Sequence, residues 1–129
     1  MTATNLLQGK KGVILGVANK RSIAWAISKG MSDAGAEIAF TYQNEKLKGR
    51  VEDLVSTRPA ECPLYPCDVT DDGQVAALGE GLARDFGSID FLVHCLAFAN
   101  REDLERGFSQ TSREGYLLAQ EVSSYSLTA

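Results

Sequence analysis

The 129-residue chain predicts an α/β fold built on a doubly wound parallel sheet, and three features of the sequence carry that expectation. Its strand candidates are short, continuously apolar runs, as strands buried on both faces require. They alternate strictly with amphipathic helical segments, which makes every strand-to-strand connection a crossover and the sheet parallel. The first strand candidate passes into the first helix through a glycine turn, the junction at which such sheets hold a phosphate group.

Residues 12–17, Gly-Val-Ile-Leu-Gly-Val, form the first apolar run. Ser22–Ala34 follows with apolar residues at helical spacing, Ile23, Ala26, Ile27 and Met31, and Ala34-Gly35 stops it. Ile38–Tyr42 reads as the second strand, and Glu45–Thr57 as a charged helix with Leu47, Val51, Leu54 and Val55 on its inner face. Thr57-Arg58-Pro59-Ala60 turns the chain into a third, shorter strand, Leu64–Cys67. Asp71–Phe86 is the third helix, with Val75, Leu78 and Leu82 inside, and Ile89–Cys95 the fourth strand.

Pro66 cannot donate to a strand ladder, so the third strand belongs at an edge. In the order 3-2-1-4 it does lie at an edge. That order, the first half of a Rossmann-type sheet, reverses between strands one and four, so a crevice opens at their carboxyl ends. Those ends are Gly16 and the run Cys95-Leu96-Ala97-Phe98-Ala99. Residues 96–111 are long enough for a binding loop, and Thr111-Ser112-Arg113-Glu114 reads as the capping box of a fourth helix with an apolar stripe of Leu118, Val122, Tyr125 and Ala129. Residues 1–129 are read as one dinucleotide-binding domain. With no stop signal after Tyr125, the chain is expected to end inside that helix, as the front portion of a longer protein.

The turn Gly16-Val17-Ala18-Asn19-Lys20-Arg21-Ser22-Ile23-Ala24 has the parts a pyrophosphate needs. Unpaired N–H groups and the helix dipole attract an anion at the helix start. Gly16 permits the tight turn and close approach of the backbone. Ser22 offers a small hydroxyl where the common dinucleotide fingerprint has its second glycine, and Ala24 is small enough for close packing of helix on strand.

Seventeen acidic against thirteen basic residues give a net charge of −4, which argues against nucleic-acid binding by electrostatics. The three cysteines, Cys62, Cys67 and Cys95, lack metal-ligand spacing and suit a reducing compartment. Nothing near Met1 resembles a signal peptide and no apolar run reaches membrane length, so a cytoplasmic protein with no membrane partner and no metal is expected.

These segments together resemble the NADH-dependent enoyl-acyl carrier protein reductases of bacterial fatty-acid synthesis, a branch of the short-chain dehydrogenase/reductases. Gly16 to Ala24 is similar to the family's Gly-x5-Ser-x-Ala loop and Phe40-Thr41-Tyr42-Gln43-Asn44-Glu45-Lys46-Leu47 to its second-strand segment. Cys67-Asp68-Val69 resembles its adenine-side turn, His94 to Ala99 its fourth-strand exit, and Ser123-Ser124-Tyr125-Ser126 its long fourth helix. The Thr-Gly-x3-Gly-x-Gly loop and Asn-Asn-Ala-Gly turn of the generic superfamily are not in the sequence.

The resemblance implies that Gly16, Ser22 and Ile23 meet the pyrophosphate side of NADH, that Gln43 lies by the adenosine, and that Asp68 and Val69 hold the adenine. Cys95, Leu96 and Ala97 would border the nicotinamide half, and Phe98, Ala99 and Leu104 the acyl substrate. Asp68 can also be read as a turn residue capping the helix near Asp71. It further implies an acyl carrier protein-linked enoyl substrate and a homotetramer. The family's Tyr-x6-Tyr-x6-Lys segment finds no match, because the last lysine is Lys48. The catalytic tyrosine and lysine are therefore expected beyond Ala129, and the 129-residue chain alone is expected to be inactive.

Three features are set aside. Glu37 lies about twenty residues beyond the glycine turn, where a ribose-binding acid is sought, but at the wrong end of strand two. Near Thr41 to Gln43, where the ribose would lie, stands neither a carboxylate nor an arginine, and NADH rather than NADPH follows from the resemblance. Tyr42-x3-Lys46 has the spacing of the superfamily's catalytic pair but belongs to the adenosine side. His94 and Cys95 read as core residues at the end of a strand. A generic short-chain reductase, a non-catalytic nucleotide-binding module and a truncated product without stable function are the alternative readings.

Overall fold

The computed structural model describes residues 5–129. They divide into two compact units, one ending at Cys95 and the other comprising Leu96–Ala129. The first unit is a four-stranded, wholly parallel sheet of β1 (Lys11–Leu15), β2 (Glu37–Tyr42), β3 (Leu64–Pro66) and β4 (Phe91–His94), in the order β3-β2-β1-β4. Its helices are α1 (Ile23–Asp33), α2 (Glu45–Ser56) and α3 (Asp72–Phe86). The expected 3-2-1-4 topology is the observed one, with Pro66 at the border opposite Tyr42.

The two inner strands are buried on both faces, which is why their sequences are apolar without alternation. Val13, Ile14, Ala39 and Phe40 are fully buried. Around Ile14 and Phe40 the core gathers Trp25 of α1 with Val51 and Val55 of α2. Leu78 and Leu82 are buried along α3, beside Gly81, where a Cβ would press on the Tyr65 ring. Asn44 and Asp71 cap α2 and α3 by accepting from the N–H groups of Leu47 and Gln74, so Asp71 stands just outside the helix it was expected to begin.

The inner face of α1 is only in part the expected one: Ile27 and Met31 pack against the core as expected. Ala24, Trp25 and Ser28 are buried, whereas Ile23 is 74% exposed and Ala26 is exposed as well. The indole decides the rotation, because it carries the largest apolar surface in the segment. Its ring meets Phe40 at 6.0 Å, and the Arg58 guanidinium lies 5.4 Å from the Trp25 ring and 5.6 Å from that of Phe40. Buried Ser28 donates to the Trp25 carbonyl at 2.7 Å and accepts from Arg58 at 3.2 Å, so no polar atom is stranded there.

Two elements are shorter than their apolar runs. Strand β4 has four residues because Asp90 is drawn into a turn, its carboxylate accepting from the Lys11 backbone at 2.8 Å and pairing with Lys10 at 3.1 Å. Strand β1 ends at Leu15, where Gly16 takes a positive φ of 106°.

In the second unit the expected loop 96–111 contains the short helix α4 (Arg101–Glu105) and a 3-10 turn, Phe108–Gln110. Helix α5 (Arg113–Gln120) is capped by Ser112, not by Thr111. The Thr111 N–H is committed to the preceding turn through the Phe108 carbonyl at 3.1 Å, and Ser112 accepts from Gly115 at 2.9 Å. After α5 comes a π-helical turn, Glu121–Tyr125, and then α6 (Ser126–Thr128). A π turn takes up more residues than an α turn, so the expected stripe slips by one position. Leu118 and Val122 are half-buried, Tyr125 is exposed, and Ser126 is buried in its place.

Candidate nucleotide-binding edge

Parallel strands put all their carboxyl ends on one edge of a sheet, and the register of the first unit places Leu15, Tyr42, Pro66 and His94 there. Gly16, Gln43 and Cys95 follow those ends directly, and Asp68 with Val69 comes one residue beyond the end of β3. Each sequence-selected residue of the first unit therefore lies at this edge or, for Ser22 and Ile23, at the start of the helix that leaves it. Glu37 pairs with Lys11 at the amino end of β2, on the opposite edge. Tyr42 is buried, and its ring lies under Lys48 at 5.7 Å.

Gly16 meets a neighbour within the protein. A Cβ there would collide with the Cys95 carbonyl, and the Cys95 N–H donates to the Leu15 carbonyl at 3.1 Å. The end of β1 and the exit of β4 are thus locked together at the point where the strand order reverses.

The loop leaving Gly16 is held by its own side chains. The Ser22 hydroxyl oxygen accepts from the N–H groups of Ala18 at 3.0 Å and Asn19 at 3.1 Å, and the Asn19 side chain accepts from Arg21 N–H at 2.8 Å. With its oxygen so engaged, the Ser22 proton is left to donate outward. Trp25 N–H and Ala26 N–H reach back to the Ser22 carbonyl, leaving the amides of Ile23 and Ala24 at the positive end of an eleven-residue helix. No carboxylate stands in residues 16–24, while Lys20 and Arg21 are exposed there. This donor set fits the pyrophosphate of a dinucleotide.

Gln43 is exposed after β2. At the third strand end, Asp68 does not cap α3. Its carboxylate accepts from the N–H of Thr70 at 3.0 Å and the hydroxyl of Thr70 at 2.7 Å, closing a local turn, and its own N–H donates to the Gln74 side chain at 2.9 Å. Gln74 in turn donates to Asp71 at 3.3 Å. The Asp71 carboxyl is held below the usual carboxylate range by these bonds from the backbone and then the side chain of Gln74. Gln74 was missed in the sequence, although Asp71-x-x-Gln74 has the spacing of a capping box. Burial, then the charges of Asp68 and Asp71, pushes the Cys67 thiol up.

His94 and Cys95 are half-buried at the end of β4. Leu96, Ala97, Phe98, Ala99 and Leu104 belong to the second unit, where Phe98 and Leu104 are exposed. Ser123 brackets the main chain of Phe98. Two concave spaces of the first unit lie around Arg58, Ala60, Glu61 and Cys62 on the loop that enters β3. Arg58 is spent there on Ser28 and on two rings. Among the described residues no group of His, Cys, Asp or Glu could hold a metal ion, and no helix is long and apolar enough to cross a membrane.

Residues 16–129 match a family model described as enoyl-(acyl carrier protein) reductase. The chain is 49% identical over 125 residues to the enoyl-acyl carrier protein reductase (NADH) FabI of Bacillus cereus, covering 96% of this chain and 49% of that protein. It is 47% identical to the enoyl-acyl carrier protein reductase (NADPH) FabI of Staphylococcus aureus, covering 95% and 48%. Among solved structures, the Bacillus cereus reductase with NADP+ and indole naphthyridinone superposes with a TM-score of 0.93 at 48% identity, covering 95% of this chain and 48% of that one. The Anaplasma phagocytophilum reductase in complex with NAD gives 0.93 at 41% identity, covering 99% and 48%. The chain spans about half the length of the relatives it matches.

Proposed function

Because the chain belongs to the enoyl-(acyl carrier protein) reductase family, we propose that its residues form the cofactor-binding half of an enzyme that reduces trans-2-enoyl thioesters carried on acyl carrier protein. NADH, when bound, supplies the hydride, which goes to the β-carbon of the enoyl group. The observation that carries this reading is the lock between Gly16 and Cys95. It fixes the pyrophosphate turn against the strand exit assigned to the nicotinamide half, so that binding one end of the cofactor orients the other.

In this reading the amides of Ile23 and Ala24 and the Ser22 hydroxyl hold the pyrophosphate. Gln43 lies by the adenosine, and the turn of Asp68 and Val69, braced by Gln74, receives the adenine. Cys95, Leu96 and Ala97 border the nicotinamide, and Phe98, Ala99 and Leu104 the acyl chain. Residues 1–129 serve as one dinucleotide-binding domain of a cytoplasmic homotetramer, an assignment that rests on family membership.

The test uses the full-length protein. NADH oxidation is measured with a crotonyl thioester and, separately, with a 3-ketoacyl thioester. Turnover of the enoyl substrate is the expected result, and turnover of the keto substrate alone would assign the protein to the generic reductases instead.

A further inference from the structure

The hydroxyl of Ser123 accepts from the backbone N–H of Phe98 at 3.0 Å and lies 3.3 Å from the Phe98 carbonyl oxygen, to which it donates. That N–H belongs to the peptide plane before Phe98 and that carbonyl to the plane after it. Peptide units are planar, so holding one atom of each restrains both φ and ψ of the residue between them. The ring of Phe98, 50% exposed, keeps only its side-chain torsions.

Ser123 is the middle residue of the π-helical turn Glu121–Tyr125. Such turns are rare, and those that occur are frequently at functional sites. Here the wider turn separates Ser123 from Ser126, whose hydroxyl bonds back along the helix to the Val122 carbonyl at 2.6 Å. A second tie lies at the other end of the same segment. The Asp103 carboxylate packs where a Cβ on Gly115 would stand and lies 3.5 Å from the Ser112 N–H. The stretch from Phe98 to Asp103 is therefore fastened at both ends within the second unit.

We propose that Ser123 is the positioning residue for Phe98, fixing its backbone so that the ring meets the acyl chain of the enoyl substrate in one orientation. The inference rests on the reading of Phe98 as a substrate-facing residue of an enoyl thioester reductase. Ser123 itself makes no contact with the substrate in this scheme, so its loss acts on substrate binding and leaves the cofactor side alone.

Ser123→Ala and Ser123→Thr are compared with the parent in the full-length protein, with three readouts. Hydrogen exchange at the Phe98 amide reports the clamp, and it should quicken in Ser123→Ala. The KM for a long-chain enoyl thioester should rise roughly tenfold, as the loss of one to two hydrogen bonds allows, while the Kd for NADH stays within about twofold. Ser123→Thr, which keeps the hydroxyl, should restore most of both. Quickened exchange with unchanged KM would overturn the positioning role, as would a proportional rise in the constants for both NADH and substrate. If the parent itself reduces no enoyl thioester, the functional reading fails and this proposal falls with it. An active parent with an indifferent Ser123→Ala defeats this proposal only.

Discussion

The carbonyl oxygen of Cys95 occupies the space that a side chain on Gly16 would enter. Gly16 also has a φ of 106°, a conformation that costs other residues about 1–3 kcal/mol. Gly16→Val should therefore lower the stability of the ligand-free full-length protein by at least about 2 kcal/mol and weaken NADH binding as well. Urea denaturation and cofactor titration of the same variant check this. An unchanged urea midpoint would show that the turn can move away from Cys95 at no cost.

Cofactor choice turns on the end of β2. Relatives of nearly equal similarity carry NADH and NADPH in their names, so overall identity does not settle the matter. At Thr41 to Gln43 no guanidinium is present to pair with a 2′-phosphate. The full-length protein should prefer NADH, and Gln43→Arg should narrow the difference roughly tenfold. Comparing kcat/KM for the two cofactors in both proteins tests it. A parent that prefers NADPH would be the contrary result.

Arg58 joins two elements, α1 and β2, from one loop. Its guanidinium bonds the Ser28 hydroxyl and carbonyl and lies against two rings. Arg58→Ala should cost about 2–3 kcal/mol, the sum of a charge-assisted hydrogen bond and a partly desolvated cation–π contact. Arg58→Lys should recover less than half of that, because an ammonium cannot bond both oxygens and lie flat on a ring. Urea unfolding of the three proteins gives the comparison.

Asp90 gives the fold an acid-sensitive joint. The Lys11 backbone N–H, and after it the Lys10 ammonium, holds its carboxyl below the usual range. A group whose pKa is lower in the folded state stabilises above its unfolded value, about 3.9, and loses that contribution as the pH falls through the folded value. The urea midpoints of the parent and Asp90→Asn should differ most above about pH 5 and converge as the pH falls below the unfolded value. A gap that does not change with pH would show that the charge of Asp90 contributes nothing.

Much of the first unit was legible because its sequence rules are local. Apolar runs without alternation mark buried parallel strands, and Pro66 marks a border. The rotation of α1 was only half legible: Ile27 and Met31 do pack against the core, but Ile23 and Ala26 fit helical spacing as well as Ala24, Trp25 and Ser28 do and face outward instead. The choice was made by Phe40 and Arg58, which lie outside the segment. The π turn left no signal, because no residue type encodes it, and it displaced the stripe that ended in Tyr125 and Ala129. At the candidate site, the strand ends could be read from the sequence. The contact between Gly16 and Cys95 and the bracket of Ser123 on Phe98 could not, because each joins residues far apart in the chain.

Pro66 makes the β3 side of this sheet a poor template for a foreign strand. Among the described residues β3 borders the sheet, is three residues long and lacks a donor at its last position. A strand arriving there from a neighbouring molecule would find too few N–H groups to hold its register, so association through this side is discouraged.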